Sequence, residues 1–90
     1  MNKRKDIILN NLKEYRLKCG YTQKEVATIL GFNSEDRICL WEQGKNIPNL
    51  INLLKLSSLY RATPMQLYTD LMAEVDDEIE NRTTKVRKFT

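Results

Sequence analysis

Apolar residues recur along most of the chain at the three- and four-residue spacing of a helix face. In the first such segment they stand at Ile8, Leu12, Tyr15 and Cys19. Asp6 precedes them as a candidate N-cap, and Gly20 stands where a helix can end in a left-handed residue. The spacing therefore predicts an amphipathic first helix over residues 7–19.

A second helix is predicted from its capping residues as much as from its apolar face. Thr22 and Glu25 have the spacing of a capping box, in which each side chain binds the backbone amide of the other residue. The predicted inward-facing positions are Val26, Ala27 and Leu30. Gly31 is suited to end the helix, and a tight turn over residues 31–33 follows.

A third helix follows this turn, so that residues 22–44 form two short helices joined by a turn. Ser34 is a candidate cap for the third helix. Ile38 and Trp41 are three residues apart and are predicted to face the core. Gly44 is predicted to end the segment.

Two further helices complete the pattern. Asn49 is a candidate cap for a fourth helix over Leu50–Tyr60. The buried stripe predicted along it consists of Leu50, Leu53, Leu54, Ser57 and Tyr60. Thr63 and Pro64 signal the start of a fifth helix, whose apolar positions are Leu67, Leu71, Val75 and Ile79. No segment alternates as a strand does, so we predict an all-α domain of five helices with an extended C-terminal helix or tail.

Composition narrows the class of protein. The chain has 90 residues, 41% of them hydrophobic and 30% charged, which suits one small globular domain. No apolar run approaches the ~20 residues of a membrane span, and the basic start lacks the apolar region of a signal peptide. The sequence has no histidine, metal-ligand cluster, phosphate-binding loop or nucleophile motif, so we expect neither an enzyme nor a cofactor or metal.

Charge and cysteine positions leave alternatives open. The net charge is only +3, but an acidic block over residues 74–80 is followed by a basic tail over residues 82–88. The tail either suits phosphate contact or is a solvated, frayed terminus. Cys19 and Cys39 are either two buried or half-buried thiols, which we expect in a cytoplasmic protein, or a disulfide.

The segment from about Leu12 to Leu71 resembles the Cro/C1-type helix-turn-helix family, also called the XRE family. The matching residues are Leu12-Lys13-Glu14-Tyr15-Arg16, Gly20-Tyr21-Thr22-Gln23, Val26-Ala27, Leu30-Gly31, Ile38, Trp41-Glu42-Gln43-Gly44-Lys45, Pro48 and Leu53-Leu54-Lys55-Leu56. The resemblance implies a compact five-helix, lambda-repressor-like DNA-binding domain. It also implies a transcriptional regulator, expected to be a repressor of bacterial or phage and mobile-element type, that binds double-stranded DNA as a homodimer.

The resemblance also implies roles for individual residues. The recognition helix would be residues 34–43, and its base-contacting positions would be Glu35, Asp36, Arg37 and Leu40. The expected phosphate contacts are Thr22, Gln23, Lys24, Lys45 and Asn46. Arg16 and Glu42 correspond to a structural ion pair that locks the first helix to the end of the third. The alternative to phosphate contact is that Gln23 is a solvated residue in the first turn of its helix and that Lys45 is an ordinary surface charge.

Two features depart from the family pattern. The turn is one residue longer, with Asn33 as the extra residue, so the groove-facing positions are uncertain by one. The recognition face is also acidic. Glu35 and Asp36 either accept a hydrogen bond from the cytosine N4 amine or interact with the helix dipole and point partly away. Arg37 is the best candidate for a base contact, bidentate to guanine.

The C-terminal extension bears on the choice between two functions. We expect a DNA-binding domain over residues 1–73 and a charged extension over residues 74–90. A further stripe on the fifth helix consists of Tyr68, Met72, Val75 and Ile79. It would pair with its copy in a homodimer, dock on another protein or pack back onto the same domain. The alternative to a cytoplasmic, nucleoid-associated regulator is an antitoxin-like or accessory protein-interaction module with the same fold.

Overall fold

The computed structural model describes residues 7–87, which form helices and no strands. The helices are α1 (Leu12–Lys18), α2 (Gln23–Leu30), α3 (Asp36–Glu42), α4 (Leu50–Tyr60), α5 (Pro64–Leu67) and α6 (Thr69–Val86). This order confirms the all-α prediction and the extended C-terminal helix. Within these residues, every helix is too short or too polar to span a bilayer.

The chain before α1 is a nonhelical strap over residues 7–11, which corrects the prediction of a helix from residue 7. The Ile8 amide donates to the Gly44 carbonyl at 2.8 Å. The Asn10 side chain donates to the Trp41 carbonyl and accepts from the Leu12 amide, both at 3.0 Å. These bonds give the strap an alternative to the helix, so α1 begins only at Leu12. The predicted cap Asp6 lies outside the described residues.

The capping predictions for α2 are confirmed, and the one for α3 is partly wrong. Thr22 and Glu25 form both bonds of the capping box, at 3.0 and 2.8 Å, and Gly31 ends α2 with a φ of 91°. α3 begins at Asp36, and Glu35 holds the N-cap position without a side-chain bond. Ser34 accepts only a long 3.4 Å bond from the Asp36 amide.

α4 begins as predicted but buries a different face. The Asn49 side chain accepts from the Asn52 amide at 2.9 Å and caps the helix. Leu50 and Leu54 are 67% and 48% exposed, so the predicted stripe is wrong at these positions. The buried residues of the helix are Asn52, Leu56 and Tyr60. Because leucine and isoleucine occur on several sides of this helix, spacing alone could not select the buried face.

The predicted fifth helix is divided into α5 and α6. Thr63 and Gln66 form a capping box with Pro64 at the first turn, which confirms the predicted start. The chain breaks at Tyr68, whose φ and ψ are −131° and 56°, and whose side chain is buried. Val75 and Ile79 are 43% and 57% exposed, so these members of the predicted stripe do not pack back onto the domain.

The core lies among α1 to α5. Its buried apolar residues are Leu12, Val26, Ala27, Leu30, Ile38, Trp41, Leu56, Tyr60, Ala62, Leu67 and Tyr68. The Tyr60 and Tyr68 hydroxyls are buried and find no hydrogen-bond partner among residues 7–87. Burial raises the pKa of both phenols, that of Tyr68 to about 12, so both stay neutral near pH 7.

Both cysteines have free thiols. Cys39 is half-buried, which agrees with the predicted alternative of two buried or half-buried thiols rather than a disulfide. Cys19 is exposed, which corrects the expectation that both thiols are at least half-buried.

We expect Gly44→Ala to destabilise the fold more than Gly31→Ala. Both glycines have positive φ, at 77° and 91°, so both substitutions introduce strain of about 1–2 kcal/mol. A Cβ on Gly44 would also lie 2.8 Å from the Ile8 nitrogen, whereas one on Gly31 meets nothing within 4 Å. Urea unfolding measures the difference. Equal losses from the two variants would show that the strap does not press on Gly44.

Candidate nucleic-acid interface

A buried ion pair connects α1 to the last turn of α3. Arg16 Nε lies 2.6 Å from Glu42 Oε2, and Arg16 Nη2 donates to Oε1 at 3.1 Å. The side chains are only 8% and 6% exposed. The third donor group, Nη1, binds the Tyr21 carbonyl at 3.0 Å. The hydrogen bonds to Glu42 raise the pKa of Arg16, so the guanidinium stays charged despite its burial.

The first residue of α2 belongs to the same network. Gln23 Nε2 donates to Glu42 Oε1 at 2.9 Å. One carboxylate therefore holds α1, α2 and α3 together. The pair of Glu42 with Arg16 was predicted from the sequence, but its bond with Gln23 was not. The available signal was chemical: a carboxylate has about four acceptor sites, and the arginine uses only two. Because the Gln23 amide has two N–H groups, one remains to donate elsewhere, and the side chain is half-buried rather than enclosed.

An aromatic pair fixes the turn between α2 and α3. The Phe32 amide donates to the Ala27 carbonyl at 2.8 Å. The Phe32 ring packs edge-on against Trp41, with centroids 5.9 Å apart and planes at 70°. The Arg37 guanidinium carbon lies 4.7 Å from the Phe32 ring centroid. This cation–π contact gives an exposed arginine a preferred position at the start of α3. Sequence reasoning also missed this role of Phe32.

The residues expected to contact bases lie along the start and middle of α3. Glu35, Asp36 and Arg37 are exposed, and Leu40 is half-buried. Glu35 and Asp36 form no ion pair within residues 7–87. Both residues stand at the start of α3, next to Arg37 in the sequence, where a negative charge interacts favourably with the helix dipole. Neither carboxylate forms an ion pair with the Arg37 guanidinium.

The residues expected to contact phosphates lie on either side of α3. Thr22, Gln23 and Lys24 begin α2, where the Thr22 side chain and amide are used in the capping box. Lys24 is exposed, as are Lys45 and Asn46 after α3. A shallow depression joins the starts of α2 and α3, and its lining includes Gln23, Lys24 and Glu35.

Comparison with known protein families identifies the same arrangement of helices. A family model described as "Helix-turn-helix" matches residues 12–67. The chain belongs to the Cro/C1-type helix-turn-helix family. Comparisons with curated proteins and with solved structures found no match.

The family match gives the domain its general function. It starts with α1 and ends with α5, so the strap and α6 lie outside it. The chain is a DNA-binding helix-turn-helix regulator. Within the helix-turn-helix domain, the buried network fixes the relation of α2 to α3, and exposed polar residues begin both helices.

We expect Glu42→Gln to lower the free energy of unfolding by about 3–5 kcal/mol, because it leaves the Arg16 guanidinium buried without a countercharge. Arg16→Lys should cost less, since the charge remains while the bidentate geometry is lost. The matched control is Glu14→Gln on α1, because Glu14 is exposed and forms no ion pair within residues 7–87, so this change should have little effect. Denaturant unfolding measures the free energy of unfolding of each variant. Equal losses in the two glutamine variants would contradict a structural role for the buried pair.

Proposed function

We propose that this chain is a sequence-specific repressor of bacterial or phage and mobile-element type. In this proposal α3 enters the major groove of double-stranded DNA and Arg37 reads a guanine. The observation that carries the proposal is the position of Arg37, which is exposed in the first turn of α3 and rests on the Phe32 ring. Arginine is suited to the role because its planar fork donates to guanine O6 and N7 together.

Backbone contacts would position α3 in the groove. The second N–H of Gln23, the Lys24 and Lys45 ammonium groups and the Asn46 amide are the proposed donors to phosphates. The support for Gln23 is its bond to Glu42, which orients the side chain before any DNA binds. A preoriented donor loses less conformational freedom on binding than a free side chain does.

The acidic residues beside Arg37 would reduce affinity for DNA in general. Glu35 and Asp36 bring two negative charges towards a polyanion, and neither is neutralised by an ion pair within residues 7–87. A carboxylate is tolerated in the groove where it accepts from a cytosine N4 amine. We propose that this arrangement favours specific over non-specific binding.

A homodimer on a two-fold operator completes the proposal. Two recognition helices would then lie about 34 Å apart, which is one turn of DNA. A protein that acts on chromosomal DNA in this way would be cytoplasmic and nucleoid-associated.

The alternative is an antitoxin-like or accessory module that acts through a protein partner. The exposed apolar residues of α6, which lies outside the family match, favour a protein contact of some kind. The discriminating experiment is selection of bound sequences from a random DNA pool, with the stoichiometry of the complex measured alongside. Enrichment of a two-fold sequence by two chains supports the repressor, and no enrichment at low salt supports the accessory module.

For the enriched site, we expect Arg37→Ala to cost roughly 1–3 kcal/mol of binding free energy and to relax preference at one base pair. Arg37→Lys keeps the charge but loses the bidentate fork, so it should retain non-specific affinity while losing most of that preference. Fluorescence anisotropy on the site and on its single-base variants measures both effects. Unchanged relative affinities in both variants would remove Arg37 from the base contacts.

We expect Lys45→Ala to weaken binding to all sequences and to reduce the slope of log affinity against log salt by about one. Lys55→Ala is the matched control, because Lys55 is an exposed lysine on α4 that is not among the proposed DNA contacts. It should leave the slope unchanged. Equal slopes for the two variants would show that Lys45 does not contact a phosphate.

A further inference from the structure

Most of α6 lies free of the domain that precedes it. None of its residues is buried, although Leu71 and Met72 are partly covered. The radius of gyration is 15.8 Å, compared with about 12 Å for a compact chain of this length. Tertiary packing therefore does not account for the apolar residues of this helix from Val75 onward.

These apolar residues share one face. Met72, Val75, Ile79 and Val86 follow the spacing of a two-helix seam, with Arg82 at the remaining seam position. Val75, Ile79 and Val86 are all exposed. An isolated helix gains nothing from such a stripe, whereas a second helix laid along it would remove the stripe from water.

The charges along α6 indicate which helix would cover the stripe. The acidic segment contains Glu74, Asp76, Asp77, Glu78 and Glu80, and the basic segment, which includes the residue that ends the helix, contains Arg82, Lys85 and Arg87. The two segments are adjacent and of similar length. An antiparallel copy of the same helix therefore sets each acidic segment against a basic one, whereas a parallel copy in register sets like charges together.

We propose that α6 pairs antiparallel with α6 of a second copy of this chain. In this pair Val75 lies opposite Val86 of the partner, and Glu78 lies near Lys85 of the partner. The aliphatic stem of Arg82 covers Ile79, while its exposed guanidinium keeps the 2.9 Å ion pair with Glu78 of the same helix. The contact is isologous, so the two-fold axis repeats each favourable contact. The proposal specifies the surface and orientation of the dimer proposed above, but its test needs no DNA.

A second exposed apolar patch offers a rival surface. It lies before and along the first turns of α4 and consists of Ile47, Leu50, Ile51 and Leu54. No charged residue stands between Asn46 and Leu54, so this patch has no charge pattern that selects a partner or an orientation. It therefore supplies the matched control, because Ile51 is 59% exposed and Ile79 is 57% exposed.

Sedimentation equilibrium over a concentration series, without DNA, tests which face pairs. We expect a reversible dimer that Ile79→Gln weakens about tenfold or more, while Ile51→Gln leaves it unchanged. Glutamine is a good helix former, and circular dichroism verifies that the total helix content of the chain is unchanged. A chain that is monomeric at every concentration, or a dimer that only Ile51→Gln weakens, overturns the proposal.

Charge exchange tests the orientation. Glu78→Lys and Lys85→Glu should each weaken the antiparallel dimer, and the double variant, whose net charge equals that of the original chain, should restore it. High salt should weaken the original dimer. In a parallel pair the single changes would instead relieve like-charge repulsion. Stronger dimers from the single variants, or no restoration in the double variant, overturn the antiparallel arrangement.

Discussion

The buried carboxylate of Glu42 is the constraint on which the helix-turn-helix depends. It accepts two hydrogen bonds from Arg16 and one from Gln23, and so joins α1, α2 and α3 at one point. Removing two charges from water is costly, and only good geometry with further hydrogen bonds compensates for it. Because Arg16 also binds the Tyr21 carbonyl, all its donor nitrogens are used. The Glu42 carboxylate, which stabilises the fold, therefore also orients Gln23, a proposed phosphate contact.

Short helices explain why such a network is needed. α1, α2 and α3 have only seven, eight and seven residues, and helices of this length are not stable alone in water. Further contacts fix the ends of these helices. The Thr22 capping box holds the start of α2, the packing of Phe32 on Trp41 holds the turn before α3, and the strap bonded to Gly44 holds the chain after α3. The surface proposed to bind DNA includes the start of α2, the start of α3 and the residues that follow α3. Stability and the proposed recognition therefore depend on the same contacts.

Local chemistry determined what the sequence could predict. The capping box at Thr22, the left-handed Gly31 and the Thr63–Pro64 start involve residues close in the chain, and the structure confirms all three. The predicted start of α1 was wrong because the Asn10 and Asn11 side chains bind backbone carbonyls that are distant in sequence, those of Trp41 and Gln66.

The exposed side of α4 and the break at Tyr68 also depend on distant packing. In the candidate site, the kinds of residue followed from the family pattern. The Gln23–Glu42 bond and the contact of Arg37 with Phe32 did not, since both cross between elements.

Methylation protection on the enriched DNA site tests whether the fixed helix-turn-helix presents Arg37 of α3 to the major groove. Guanine N7 faces the major groove and adenine N3 the minor groove, so one reagent reports on both. We expect the original chain to protect guanine N7 in each half-site and Arg37→Ala to lose that protection at one guanine. Protection confined to adenine N3, or a guanine pattern that the Arg37 variant leaves intact, would show that Arg37 does not face the major groove.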